Sequence, residues 1–235
     1  MRNSAKDRII VALDVGSAEE ARSLIETLGD SVGVYKIGLE LLFAGGFALA
    51  EELARKGRAV FVDAKLSDIE ATVERATAAI ARAGAAFLTV HALDHKTLAA
   101  AVRGRGKSAV KLLGVTVLTN LSPSDLIEQG IDHPLPELAL NRAMLAKKAG
   151  LDGVIASGRE AAEIRRALGP DFLIVTPGVR PQGSEAQDQA RAVTPREAIA
   201  AGADYLVVGR PITRARDPRA AADSIAREIA EALSR

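Results

Sequence analysis

The sequence predicts an α/β protein, built as a single-domain (β/α)8 TIM barrel over residues 1–235. Eight short apolar runs alternate with Ala-, Glu- and Arg-rich segments of helical spacing. Strict alternation of this kind indicates a parallel sheet with right-handed crossovers. Eight such units in 235 residues fit one barrel, and no linker or low-complexity segment divides the chain.

The predicted elements follow from these runs in chain order. The strands are expected at residues 9–13, 33–37, 59–62, 87–90, 112–117, 153–155, 172–175 and 205–208. Helical spacing is clear over residues 17–28 and 72–83, and Ser17 is a predicted N-cap because Glu20 follows three residues later. Glycines stand where helices should stop, at Gly29, Gly57, Gly84, Gly150, Gly169 and Gly202.

A doubly wound sheet is the competing architecture for such a β/α pattern. Its dinucleotide-binding form would have a G-x-G-x-x-G turn after the first strand. Here the first strand leads into Asp14-Val15-Gly16-Ser17 instead. The barrel is therefore the preferred prediction.

Composition excludes several classes of function. The chain is 48% hydrophobic and 26% charged, as expected of a soluble globular protein. A net charge of +1 gives no broad basic field, which argues against a nucleic-acid partner. The chain has no cysteine, so disulfides, thiolate nucleophiles and cysteine-based zinc sites are excluded. No apolar signal region or run of about 18 apolar residues is present, so we expect a cytoplasmic protein with no membrane partner.

One stretch concentrates charge at the end of the third strand. Asp63 and Lys65 are two residues apart, so on an extended strand they point to the same side. Asp68 and Thr72 are four apart and would share one face of the next helix. A solvated loop is the alternative, but two carboxylates flanking one lysine at a strand exit favour a functional site.

In a barrel, functional residues gather at the carboxyl ends of the strands. The polar residues expected there are Asp14, Lys36, Asp63, Lys65, His91, Thr119, Arg180 and Arg210. Lys36 stands inside an apolar run, so it is either exposed at an edge or buried and paired, because burying a lone ammonium is costly. Asp63 is its candidate partner.

The last two loops suggest a phosphate site. Gly209-Arg210-Pro211 follows strand eight, Arg180 lies after strand seven, and barrels often bind phosphate at these loops. Arginine binds phosphate through two parallel hydrogen bonds. The polar loop of residues 176–189 has the composition of a lid, although a surface loop without function fits equally well. The three histidines lack metal-ligand spacing, so no metal or cofactor is predicted.

These residues together resemble the orotidine 5'-monophosphate decarboxylase family, and the resemblance covers nearly the whole chain. The matching motifs are Leu13-Asp14, Lys36-Ile37-Gly38, Asp63-x-Lys65-x-x-Asp68-Ile69-x-x-Thr72, Val117-Leu118-Thr119, Thr176-Pro177-Gly178-Val179-Arg180-Pro181, Asp188-Gln189 and Gly209-Arg210-Pro211. Bacterial members often have proline after the isoleucine, where this chain has Glu70. That departure alters the turn before the helix.

The resemblance implies a metal- and cofactor-free decarboxylase that converts orotidine 5'-monophosphate to uridine 5'-monophosphate. Lys36, Asp63, Lys65 and Asp68 would form an alternating charge network, with Lys65 protonating C6 and with Asp68 and Thr72 supplied by the other subunit of a homodimer. The resemblance implies that Asp14 and Lys36 contact the ribose and that Thr119 lies near the base. Gln189 would bridge the lid and the phosphate. The phosphate itself would be bound by Arg180, Gly209 and Arg210.

Two other functions remain open on the same barrel. A metal-dependent sugar-phosphate lyase or aldolase shares the Asp-x-Lys-x-x-Asp block. Such relatives tend to carry a metal-binding carboxylate where this chain has Lys36. A non-catalytic barrel that binds phosphoribosyl ligands is the third possibility, and the intact charged block argues against it.

Overall fold

In the computed structural model, which describes residues 4–181 and 193–234, eight parallel strands close into a barrel. The strands are β1 (Ile9–Ala12), β2 (Val34–Ile37), β3 (Ala59–Leu66), β4 (Phe87–His91), β5 (Lys111–Val115), β6 (Gly153–Ile155), β7 (Leu173–Thr176) and β8 (Tyr205–Val208). Each strand pairs with its neighbours in chain order, and β8 also pairs with β1. The (β/α)8 prediction is confirmed, and the doubly wound alternative is wrong.

Helices connect the strands on the outside of the barrel. They are α1 (Ala18–Leu28), α2 (Leu39–Leu41), α3 (Phe47–Arg55), α4 (Glu70–Arg82), α5 (His95–Arg105), α6 (Pro123–Glu128), α7 (Leu135–Ala149), α8 (Gly158–Leu168), α9 (Pro195–Ala200), α10 (Arg210–Thr213) and α11 (Pro218–Leu233). Among the helices of the described residues, none combines the length and apolar character that a membrane span requires.

The predicted helix boundaries have clear local causes. Ser17 caps α1, because its hydroxyl accepts a hydrogen bond from the Glu20 amide at 3.1 Å. The six glycines expected at helix ends all adopt positive φ, which residues with a Cβ rarely do. At Gly150 the left-handed conformation ends α7 directly.

Alternate side chains of the strands fill the inside of the barrel and the layer beneath the helices. Ile10 belongs to the inner cluster, whereas its neighbour Val11 packs in the outer layer. Phe87 lies edge-on to Phe61 at 5.9 Å and to Tyr205 at 5.3 Å, measured between ring centroids. These three rings come from different strands, so the interior is a packed core.

Strand β3 departs from regular pairing where the charged residues begin. It pairs with β4 up to Val62 and again at Leu66, so residues 63–65 lie opposite Thr89 alone. Lys65 adopts φ +47°, an uncommon conformation for a residue with a side chain. This β-bulge carries the strand past its predicted end at residue 62 and redirects the side chains at the barrel mouth.

One prediction about the following turn is wrong. Asp68 and Thr72 do not share a helix face, because α4 begins at Glu70 and Asp68 lies in the turn before it. Ile69 is the N-cap and keeps an extended ψ of 150°. The strand uses residues that the sequence assigns to the turn, so the helix starts only after Asp68.

Candidate active site

A cleft of about 400 Å³ opens at the carboxyl ends of the strands. Eight of the eleven predicted site residues line it: Asp14, Lys36, Asp63, Lys65, Thr119, Arg180, Gly209 and Arg210. They come from the ends of β1, β2, β3, β5, β7 and β8, which the closed barrel brings to one mouth. Of the others, Asp68 and Thr72 do not line this cleft, and Gln189 lies outside the described residues.

Lys36 is buried and paired, which decides between the two alternatives that the sequence left open. It lies two residues after Val34, whose side chain is in the inner cluster, so strand alternation directs it into the barrel. The side chain is 8% exposed, and its Nζ lies 3.0 Å from Asp14 Oδ1 and 3.4 Å from Asp63 Oδ2. A Cβ at Gly38 would come within 2.9 Å of both Asp14 Oδ1 and Lys36 Nζ, so glycine leaves room for this pair.

Asp63 connects the two lysines. Its Oδ2 accepts a hydrogen bond from Lys65 Nζ at 2.8 Å and faces Lys36 Nζ, while its Oδ1 accepts from the Thr89 hydroxyl at 2.8 Å. The result is a continuous row of four alternating charges, in the order Asp14, Lys36, Asp63 and Lys65. The sequence argument correctly brought Asp63 and Lys65 together, but the bulge, not a regular strand, orients them.

The surroundings keep Asp63 and Lys36 ionised. Burial acts to raise the pKa of Asp63, but the charges of Lys36 and Lys65 outweigh it and hold that pKa below its ordinary range. Burial likewise acts to lower the pKa of Lys36, and Asp63 and Asp14 reverse the effect and raise it. Asp63 is therefore anionic and Lys36 cationic at neutral pH.

The part of the cleft that follows β7 and β8 carries positive charge. Arg180 and Arg210 lie on the loops after β7 and β8 as predicted, beside Gly209 at the start of α10. Arg180 is 8% exposed and donates through Nη1 to the Val179 carbonyl at 3.0 Å. Burial, and then the nearby charge of Arg210, lower the pKa of Arg180. Two guanidiniums on one wall favour an anionic group between them.

Sequence reasoning missed several residues at the site. Glu40, Thr213 and Arg214 also line the cleft, but they stand in short helices or, for Arg214, directly after one, without a recognisable motif. Thr89 was missed as well, although a threonine inside an apolar strand is a signal that could have been followed. His91 ends β4 as expected but does not line the cleft. Burial is the larger cause, and the charge of Lys65 a smaller one, that lowers the pKa of His91.

The turn after β3 is exposed and does not line the cleft of its own chain. Asp68 is exposed, and its Oδ1 accepts a hydrogen bond from the Ile69 amide at 2.6 Å. Ile69 itself is 72% exposed, which is unusual for a large apolar side chain. Within residues 4–181 and 193–234, no group of three or more His, Asp or Glu side chains is arranged to hold a metal ion.

The fold and the cleft together define a (β/α)8-barrel enzyme whose charged residues meet at the carboxyl ends of the strands. The chain belongs to the "Orotidine 5'-phosphate decarboxylase / HUMPS family", whose model matches residues 7–225. It is 53% identical over 232 residues to the orotidine 5'-phosphate decarboxylase of Methylobacterium nodulans, with 97% of this chain and 98% of that protein covered.

Two further relatives agree. The orotidine 5'-phosphate decarboxylase of Caulobacter sp. is 53% identical, with 97% of this chain and 99% of that protein covered. The crystal structure of orotidine 5'-phosphate decarboxylase from Lactobacillus acidophilus superposes with a TM-score of 0.83 at 38% identity, covering 94% of this chain and 98% of that one. The family expected from the sequence motifs is therefore confirmed.

Proposed function

We propose that this protein decarboxylates orotidine 5'-monophosphate to uridine 5'-monophosphate and CO2, in pyrimidine biosynthesis in the cytoplasm. The observation that carries the proposal is the Asp14–Lys36–Asp63–Lys65 chain at the strand ends, with Lys65 Nζ 2.8 Å from Asp63 Oδ2. The names of relatives at 53% identity over nearly the full length support it.

The chemistry demands a cation at one position. Loss of CO2 breaks the bond from C6 of the base and leaves the electron pair on C6, in the plane of the ring. No adjacent carbonyl delocalises this pair as an enolate, so stabilisation must be electrostatic. Lys65 supplies the positive charge, donates an Nζ proton to C6 and regains a proton from solvent. Asp63 holds Lys65 in place and lies near the position that the departing carboxylate would take.

The other cleft residues bind the nucleotide. Asp14 and Lys36 contact the ribose, Thr119 lies near the base, and Arg180, Gly209 and Arg210 bind the phosphate, which supplies binding energy away from C6. Gln189 is assigned to the lid and phosphate by resemblance alone. The proposed reaction uses no metal or organic cofactor. This part of the proposal is supported by Lys36, which stands where metal-dependent relatives tend to carry a metal-binding carboxylate and whose Nζ lies 3.4 Å from Asp63 Oδ2.

The proposed active form is a homodimer in which Asp68 and Thr72 complete the partner's site. The exposure of Asp68 and Ile69, and the absence of both Asp68 and Thr72 from the lining of their own cleft, support this arrangement. A two-fold dimer would place the same turn of each subunit against the other's barrel mouth.

The test is the fall in orotidine 5'-monophosphate absorbance with purified protein in the presence of a metal chelator. Turnover that persists with chelator, and that is absent from Lys65→Ala protein purified in parallel, is the expected result. Activity lost on chelation would instead favour a metal-dependent sugar-phosphate lyase. Tight binding of uridine 5'-monophosphate without turnover would indicate a non-catalytic barrel.

A further inference from the structure

One side chain of the neighbouring strand lies opposite the β3–β4 bulge. Residues 63–65 lie opposite Thr89 alone, so this single residue faces both the carboxylate of Asp63 and the backbone of Lys65. Thr89 is completely buried, in β4, two residues after Phe87 of the inner cluster. Its hydroxyl therefore has no solvent to bond with and must be satisfied by the protein.

The direction of its two hydrogen bonds is fixed by chemistry. Asp63 is anionic and can only accept, so the Thr89 hydroxyl must donate its one proton to Asp63 Oδ1 at 2.8 Å. The oxygen lone pairs remain available, and one accepts the Lys65 amide proton at 2.9 Å. One hydroxyl thus joins the side chain at the start of the bulge to the backbone at its end.

This link bears on the unusual conformation of Lys65. At φ +47° a residue with a Cβ is strained, and such a conformation persists only where the surrounding structure fixes it. The bond from the Lys65 amide to Thr89 is one such constraint, and the Nζ bond to Asp63 is another. If either hydrogen bond were lost, the ammonium of Lys65 would move relative to the carboxylate of Asp63.

We propose that Thr89 is a positioning residue for decarboxylation, which holds Asp63 and Lys65 in register through its hydroxyl. The inference rests on the proposed function, because it concerns the placing of the proposed proton donor. Thr89 does not line the cleft, so it acts through the other two residues and does not touch the nucleotide. Its loss should lower kcat and leave nucleotide binding largely intact.

The experiment compares variants that differ in the hydroxyl. Thr89→Val keeps the shape of the side chain and removes its hydroxyl. Thr89→Ser and Thr89→Ala both remove the γ-methyl group, and of these two only Thr89→Ser keeps the hydroxyl. We expect kcat to fall about 10- to 100-fold in the Val and Ala variants, as for one lost hydrogen bond to a charged group. Thr89→Ser should stay within about 3-fold of wild type, and KM should change little in all three.

Thr77 offers a matched control. It is completely buried in α4, and within the described residues its hydroxyl has no hydrogen-bond partner, so Thr77→Val should leave kcat unchanged. Thermal unfolding midpoints identify variants that lose activity through instability. If Thr89→Val does not fold, the Ser and Ala pair decides the question.

Two results would overturn the inference. The first is wild-type kcat in Thr89→Val or Thr89→Ala. The second is an equal loss of kcat in the Ser and Ala variants, since that would assign the effect to packing of the methyl group. A wild-type protein that does not turn over orotidine 5'-monophosphate would overturn the proposed function itself, whatever the variants do.

Discussion

The proposed division of the site between two subunits can be tested by mixing inactive proteins. Asp63 and Lys65 meet within one chain at 2.8 Å, whereas Asp68 lies outside the cleft of its own chain. A Lys65→Ala subunit still presents Asp68, and an Asp68→Ala subunit still presents Lys65. In a mixed dimer the two intact residues therefore meet at one of the two sites.

The expected recovery follows from this arrangement. With equal amounts and random exchange, about half of the dimers are mixed, and each has one intact site of two. If the sites are independent, activity should return to roughly a quarter of wild type. The assay is the fall in orotidine 5'-monophosphate absorbance before and after exchange, with the mixed dimers counted by native mass spectrometry on differently tagged chains.

A second pair of variants provides the control. Lys65→Ala mixed with Asp63→Ala cannot produce an intact site, because both residues reach the cleft from the same strand of one subunit. That mixture should stay inactive at the same degree of exchange. Mixed Lys65→Ala and Asp68→Ala dimers that are present but inactive would refute the shared site, and would mean that Asp68 acts within its own subunit.

Three further predictions address the cleft itself. Lys65→Ala should lower kcat at least about 10³-fold, and more than a tenth of wild-type activity would disprove its role. Arg210→Ala should cost about 2–4 kcal/mol in kcat/KM for the nucleotide and hardly affect a substrate without phosphate, so equal losses on both would make Arg210 structural. Lys36→Met should lower the free energy of unfolding by about 3 kcal/mol at pH 7 in urea titrations, because it leaves Asp63 buried with one cation fewer. Since the folded-state pKa of Lys36 is raised above 10.5, its contribution is present at pH 7 and lost as the pH rises through that raised pKa. The difference in free energy of unfolding between wild type and variant should therefore narrow above about pH 10.5. A difference that stays constant with pH would show that packing alone causes it.

Much of the fold could be predicted because a barrel repeats one local pattern. Apolar runs at regular intervals marked all eight strands, and the helix ends followed from glycine conformations that the structure shows directly. The strand ends were less predictable. The strand predicted to end at residue 117 stops at Val115, and β3 continues to Leu66, because pairing with a neighbouring strand sets these limits.

The charged site was predictable in membership but not in geometry. Asp63 and Lys65 were paired on the assumption of a regular strand, and they do meet. In the structure, residues 63–65 lie opposite Thr89 alone, and Thr89 is 24 positions from Lys65 in the chain. No periodicity within residues 59–72 contains that information, so the bulge and the start of α4 after Asp68 could not be read from them.

The order of charges in the cleft favours the proposal that a second subunit completes the site. The cleft holds a row of two negative and two positive charges within one subunit, in the order Asp14, Lys36, Asp63 and Lys65. These four charges sum to zero, and Lys65 stands at the end of the row. Among the residues that the structure describes, Asp63 is the one carboxylate that forms an ion pair with Lys65 at this end. A carboxylate from the partner's Asp68 would flank the ammonium on its other side, favour its charged form and restrict its position beside C6.

The same carboxylate would add negative charge near the substrate carboxylate. The partner's Asp68 would therefore disfavour the bound substrate more than CO2 and the carbanion. We therefore expect Asp68→Asn to lower kcat much more than it raises KM, and a change confined to KM would contradict this account.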